Sequence, residues 1–177
     1  MLLELIAAIA LGAGTAGMVL AVDRLVARRR LPGWLAPAAA GTAMVALMVY
    51  LEYSWADRLG AQLPAGVVVT TISRDRMWYR PWTYARPLGL RMVAVDTRRN
   101  RLHDEAPGQV MTTVILLGRW LPTREMPVVF DCVGARRADL HAGVQLGADG
   151  QLVGAQWRTL AADDATLTAA CLGFGRP

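Results

Sequence analysis

The chain has 177 residues, of which 54% are hydrophobic, and a formal net charge of +5. All 19 basic residues are arginine, a usage that with abundant Ala, Gly, Val and Leu fits a GC-rich genome and has no chemical meaning. From Asp57 onward 15 arginines are interspersed with 11 acids. That is not the basic stripe of a nucleic-acid binder, and no nucleic-acid partner is expected.

Met1 to Val22 holds one charge, Glu4, among Leu, Ile, Ala, Val, Met and Gly. Roughly 20 apolar residues in a helix cross the ~30 Å hydrocarbon core of a bilayer. A first span over about 2–22 is therefore expected. It lacks the basic n-region of a cleaved signal peptide, and its apolar stretch is too long for one. A second span is expected over about 34–53, with no charge before Glu52. Trp34 at one end, and Tyr50, Tyr53 and Trp55 at the other, fit interfacial aromatic belts. Pro37 falls in the first turn, where its missing N–H does little harm. The connecting loop, 23–33, holds four arginines and marks the cytoplasmic side. The N-terminus and everything after Tyr53 then lie on the periplasmic side of a bacterial inner membrane. The domain division expected is 1–55 for the spans and 56–177 for a periplasmic domain.

Gly12-Ala13-Gly14-Thr15-Ala16-Gly17 matches the glycine pattern of dinucleotide sites. Such a site needs a strand before the glycines, a helix after them and an acid about 20 residues on. Here apolar sequence continues on both sides. Small residues four apart, Gly12 with Ala16 and Ala13 with Gly17, instead let a neighbouring helix approach closely. Ala39, Ala40 and Ala43 on the second span offer a matching smooth surface.

After residue 60 the periodicity becomes that of strands. Val67–Ile72 is β-branched throughout, Arg91–Asp96 alternates, and Val110–Leu117 is long enough to be buried on both faces. Val128–Cys132 follows. Ala138–Leu146 and Gln151–Arg158 flank Gly147-Ala148-Asp149-Gly150, whose Asp-Gly is a hairpin signal. Asp163–Leu172 reads as a short helix with an aspartate N-cap and Gly173 as its stop. The fold class expected is a membrane-anchored α+β protein. A two-helix transmembrane hairpin precedes a small antiparallel sheet domain with a C-terminal helix.

Cys132 and Cys171 lie in the domain expected outside, where a pair of thiols normally oxidises. A bridge would staple the terminal helix to the strand holding Cys132. By loop entropy it would be worth roughly 3–4 kcal/mol. The alternative is a metal site built with His103 and His141, but no ligand spacing supports it. No metal, cofactor or catalytic residue is expected. Only Ser54 and Ser73 are present as serines, and neither histidine sits in a motif. His103 reads as part of a polar turn and His141 as a strand residue.

Met77-Trp78-Tyr79-Arg80-Pro81-Trp82-Thr83-Tyr84-Ala85-Arg86-Pro87 is unlike the rest. Trp, Tyr and Arg are the residues enriched at interaction hot spots. If extended, the segment puts Trp78, Arg80, Trp82 and Tyr84 on one face, and Pro81 makes it an edge strand or loop. Sheet core, partner surface and lipid-headgroup contact are the three readings. As a partner surface it would use Trp78, Tyr79, Arg80, Trp82, Tyr84 and Arg86.

One resemblance covers roughly residues 66–172. Asp96 follows an apolar strand, and a long strand ends near Trp120. Asp131-Cys132 is followed by Arg136-Arg137, then Asp149-Gly150, Trp157 and a last Cys171 in a short helix. In this order the motifs resemble the surface-adhesin protein E-like family. The resemblance implies a small antiparallel sheet whose C-terminal helix is tied to it by a Cys132–Cys171 disulfide. It also implies binding of host matrix proteins. The chain departs from the lipid-anchored or exported form of that family by its two spans. The function expected is therefore a non-catalytic accessory subunit of a larger inner-membrane complex of respiratory or transport type. Its partners would be integral membrane proteins and membrane lipids. The alternative is a self-standing, membrane-anchored binding module.

Overall fold

The computed structural model describes residues 2–27, 30–102, 106, 108–141, 143–147 and 152–172. The chain divides into two compact units, Met1–Trp55 and Ala56–Pro177.

The first unit holds helix α1, Leu2–Leu25, and most of helix α2, Leu35–Gln62. Both helices are long and apolar enough to cross a membrane. Between them the Asp23 carboxylate accepts the Leu31 N–H at 2.9 Å, which fastens the turn. Ala8 and Gly12 are the buried residues of α1. A Cβ on Gly12 would stand 2.8 Å from Met44 Sδ and 3.9 Å from the Ala40 carbonyl oxygen, so α2 packs directly against this glycine. Pro37 is the third residue of α2, where no intrahelical N–H is missed. The helix outruns the apolar stretch by nine residues. Ser54–Gln62 contains no proline, and the helix stops where Pro64 disfavours helical backbone at Leu63.

The second unit is an antiparallel sheet with one helix on a face. Strands β1 (Val67–Asp75), β2 (Leu88–Leu102), β3 (Gln109–Gly118), β4 (Arg124–Asp131) and β5 (Arg136–Asp139) form a meander. A one-turn helix, α3 (Trp82–Ala85), interrupts the β1–β2 connection. A two-stranded hairpin, β6 (Gln145–Leu146) with β7 (Leu152–Val153), follows β5. Strand β8 (Trp157–Thr159) then returns beside β5 as the outer strand. Helix α4 (Ala165–Ala170) closes the fold.

Alternation puts Val95, Val110, Val114, Val128 and Phe130 on the face that packs against Leu167, Ala169 and Ala170 of α4. Met92, Ala94, Ile115, Leu117 and Val129 occupy the alternate positions and are also buried. The central strands are therefore covered on both sides, and the apolar run in β3 follows from that. The flanks of the Asp-Gly turn pair over shorter stretches than their pattern predicts. β5 ends at Asp139 and pairing resumes at Gln145, while residues 148–151 lie outside the described residues. His141 therefore stands beyond the strand, exposed, with Nδ1 3.2 Å from the Asp139 carbonyl.

Candidate interaction surface

Three aspartates hold the sheet and its terminal helix in shape. Asp96, 1% exposed, ends the regular part of β2. Arg98 binds it with two bonds, Nε to Oδ1 at 2.8 Å and Nη2 to Oδ2 at 2.9 Å. The Arg98 bond holds the Asp96 carboxyl below the usual range against the opposing effect of burial. Just beyond, the register jumps from Asp96↔Thr113 to Arg101↔Met111, a bulge on the β2 side. The bulge brings Asn100 to α4, where its Nδ2 donates to the Ala170 carbonyl at 3.1 Å. That bond satisfies one of the carbonyls a helix C-terminus leaves open.

Asp131 organises the β4–β5 turn. Its Oδ1 accepts the N–H groups of Val133 and Gly134 at 3.1 and 2.7 Å, and its Oδ2 accepts Arg136 Nη2 at 2.6 Å. Burial pushes this carboxyl up, but the Gly134 N–H, Arg136 and the Val133 N–H outweigh it and hold it below the usual range. A Cβ on Gly134 would lie 2.5 Å from Asp131 Oδ2, so the turn needs glycine there. Asp164 caps α4, accepting the Thr166 and Leu167 N–H groups at 2.8 and 3.0 Å and the Thr166 hydroxyl. Its carboxyl is pushed up by burial and pulled further down by these three donors.

Between two of these braces, Cys132 and Cys171 form a disulfide with their Cα atoms 5.9 Å apart. The bridge joins the turn after β4 to the C-cap of α4, and it takes both thiols out of any metal site. Among the described residues no group of three or more His, Cys, Asp or Glu could hold a metal ion. His103 and Gly173 lie outside the described residues.

The sheet so braced presents its loops at one end. Strand pairing Asp75↔Leu88 and Arg91↔Gly118 puts the β1–β2 and β3–β4 connections there together, and the Arg119 N–H donates to the Leu90 carbonyl at 3.2 Å. The 77–87 segment is not extended. Met77 and Arg80 form a bridge across a tight turn, and Pro81, with φ −59°, leads into α3. Thr83 is the buried pin. Its Oγ1 accepts the Met77 N–H at 2.9 Å and donates to the Arg80 carbonyl at 2.7 Å. With that side chain inward, the large ones go outward. Trp78, Tyr79, Trp82, Tyr84, Trp120 and Leu121 are between 50 and 83% exposed. Trp78 and Tyr79 meet edge to face at 5.9 Å, and the Arg119 guanidinium lies 4.6 Å from the Trp120 ring centre.

The same end collects the charge. Arg74, Arg76, Arg80, Arg86, Arg91, Arg119 and Arg124 lie at or beside the two connections, with Asp75 as the one acid in those stretches. All the rest from Asp57 onward has eight arginines and ten acids. A surplus that reads as mild along the chain is therefore a local +6 on the fold. Sequence reasoning missed this. The signal present was five arginines to one aspartate within 74–91; the partner stretch, 119–124, needed the strand pairing.

Of the small residues on the two helices, Gly12 is buried against α2, and Ala16, Ala39, Ala40 and Ala43 are half-buried. Ala13 and Gly17 face outward, and a Cβ on Gly14, Gly17 or Gly41 would meet nothing within 4 Å. Pro37, Ala38, Gly41, Thr42, Val45 and Ala46 line a shallow, open apolar concavity on α2. No family model, curated protein or solved structure matches the chain.

Proposed function

We propose that the protein is a non-catalytic accessory subunit of a bacterial inner-membrane assembly of respiratory or transport type. Two spans anchor it, and the braced sheet domain stands on the periplasmic side. One observation carries this reading. The hairpin uses Gly12 for its own packing and leaves further small-residue surface turned outward, Gly14 and Gly17 on α1 and the Ala38–Gly41–Val45 concavity on α2. In lipid, where apolar residues gain nothing from burial as such, close approach of small residues is what joins helices. Such surface left open on both helices suits neighbouring helices of other chains.

Purification from native membranes in mild detergent, with mass spectrometry of the co-purifying proteins, tests it. The expected result is a stoichiometric set of integral membrane proteins. Recovery of the chain alone, in detergents that preserve other complexes, would refute it.

A second reading is a self-standing, membrane-anchored binding module of adhesin E-like type. The observation that favours it is the terminal helix stapled to an antiparallel sheet through Cys132 and Cys171, the arrangement that resemblance implies. Saturable binding of a matrix protein by the full chain in the absence of other membrane proteins would support it.

A further inference from the structure

We propose that the loop end of the sheet domain seats on an anionic lipid surface. Trp78, Tyr79, Trp82, Tyr84, Trp120 and Leu121 would lie at headgroup depth and the surrounding arginines on lipid phosphates. This rests on the reading that α1 and α2 span a bilayer, which would keep the domain at a membrane surface at high effective concentration.

Three observations select lipid over a protein partner. The first is segregation of charge: the loop end carries a net +6 and all the rest from Asp57 onward −2, so one end of the domain is built to meet negative charge. The second is residue type. Trp and Tyr have an apolar body and a polar edge, and they concentrate where water meets hydrocarbon. The third is how rings and cations interleave. Arg80 lies 5.7 Å from the Tyr79 ring centre and Arg119 4.6 Å from that of Trp120. Arginine and aromatic rings are enriched at protein interfaces too, but there each buried cation needs a matched carboxylate on the partner. A headgroup layer imposes no such match. It takes the rings toward the acyl boundary and the guanidinium groups at the phosphates, in any register.

Thr83 makes the arrangement stiff. With its hydroxyl pinned between Met77 and Arg80, the turn and α3 hold the rings outward before any contact is made.

The test uses the full chain reconstituted in vesicles, with brominated lipids as a quencher of tryptophan emission. Wild type is compared with a W78F/W82F/W120F variant, and the difference isolates the loop tryptophans from Trp34, Trp55 and Trp157. In vesicles containing phosphatidylglycerol, the difference emission should be blue-shifted and quenched at least twofold. In pure phosphatidylcholine, or at about 1 M salt, where the screening length falls to roughly 3 Å, the quenching should be largely lost. An R76E/R80E/R86E/R119E variant with an intact disulfide and unchanged circular dichroism should behave like wild type in phosphatidylcholine. Red-shifted, unquenched loop emission in anionic vesicles would overturn the proposal. So would quenching indifferent to lipid charge and salt. Efficient photo-crosslinking from position 78 to a membrane protein in native membranes, without quenching in vesicles, would assign the surface to a protein. Resistance of the chain to alkaline washing reports separately on the spans. A chain washed off at alkaline pH would refute the spanning reading, while quenching at neutral pH would still decide the lipid contact.

Discussion

Removing the disulfide by Cys132→Ala with Cys171→Ala should cost the sheet domain most of its stability margin. The two cysteines are 39 residues apart. Loop-closure entropy for a ring of that size comes to about 4 kcal/mol at 25 °C. Against an unfolding entropy of ~2.1 cal/mol/K per residue over roughly 120 residues, that lowers the midpoint of unfolding by about 16 °C. The Asp164 cap and the Asn100–Ala170 bond remain in the variant, but both are lost on unfolding and neither closes a covalent loop in the unfolded chain as the bridge does. Hydrogen exchange of the full chain in detergent, read by mass spectrometry, reports the domain apart from the helices. Amides of residues 114–117 in β3 and 128–131 in β4, in the covered part of the sheet, exchange through global opening and should speed up about a thousandfold, the factor equivalent to ~4 kcal/mol. Acceleration confined to α4, or below tenfold in β3 and β4, would refute the view that the bridge stabilises the whole domain.

Other predictions are smaller. Asp164→Ala removes the acceptor for the Thr166 and Leu167 N–H groups and should cost about 1 kcal/mol, measured by denaturant titration. Asp131→Ala removes the acceptor of two backbone N–H groups in the β4–β5 turn and the Arg136 pair; about 2 kcal/mol is expected, with faster exchange at Val133 and Gly134. Asp96, Asp131 and Asp164 all have carboxyls held below the usual value, so each gives stability that is complete above the unfolded pKa of about 4. That stability is lost as pH falls through the lower folded values. The unfolding midpoint should hold from pH 7 to 5 and fall below about pH 4; a midpoint unchanged at pH 2.5 would contradict these pairings. Gly12→Leu should splay α1 from α2 because Met44 already fills the space, whereas Gly17→Leu should leave the hairpin intact and reduce co-purification of partner proteins.

What could be read from sequence was what depends on nearest neighbours. Hydropathy located both long helices, β-branched and apolar runs located β1 to β4, and the Asp163-Asp164 pair announced the cap of α4, which the structure assigns to Asp164. What could not be read depends on contacts distant in the chain. The bulge after Asp96 leaves no local mark, yet it delivers Asn100 to the end of α4. α2 runs on to Gln62 because polar residues propagate a helix as readily as apolar ones, so a hydropathy boundary at Tyr53 is not a helix boundary. The 77–87 segment folds into a turn and α3 because one hydroxyl, Thr83, binds three residues upstream and six. No period-2 pattern encodes that. The loop surface itself is a product of topology. Residues 74–91 stand out in sequence by their rings and arginines, but 119–124 does not, and only antiparallel pairing of β1 through β4 sets the two stretches together at one end of the sheet.

The most direct test of the accessory-subunit reading is site-specific photo-crosslinking in native membranes from Val45, on the outward concavity of α2. Crosslinks to one or a few integral membrane proteins are expected, reduced when Gly41 is replaced by leucine. Label recovered only on lipid, or only on a second copy of the chain, would contradict that reading.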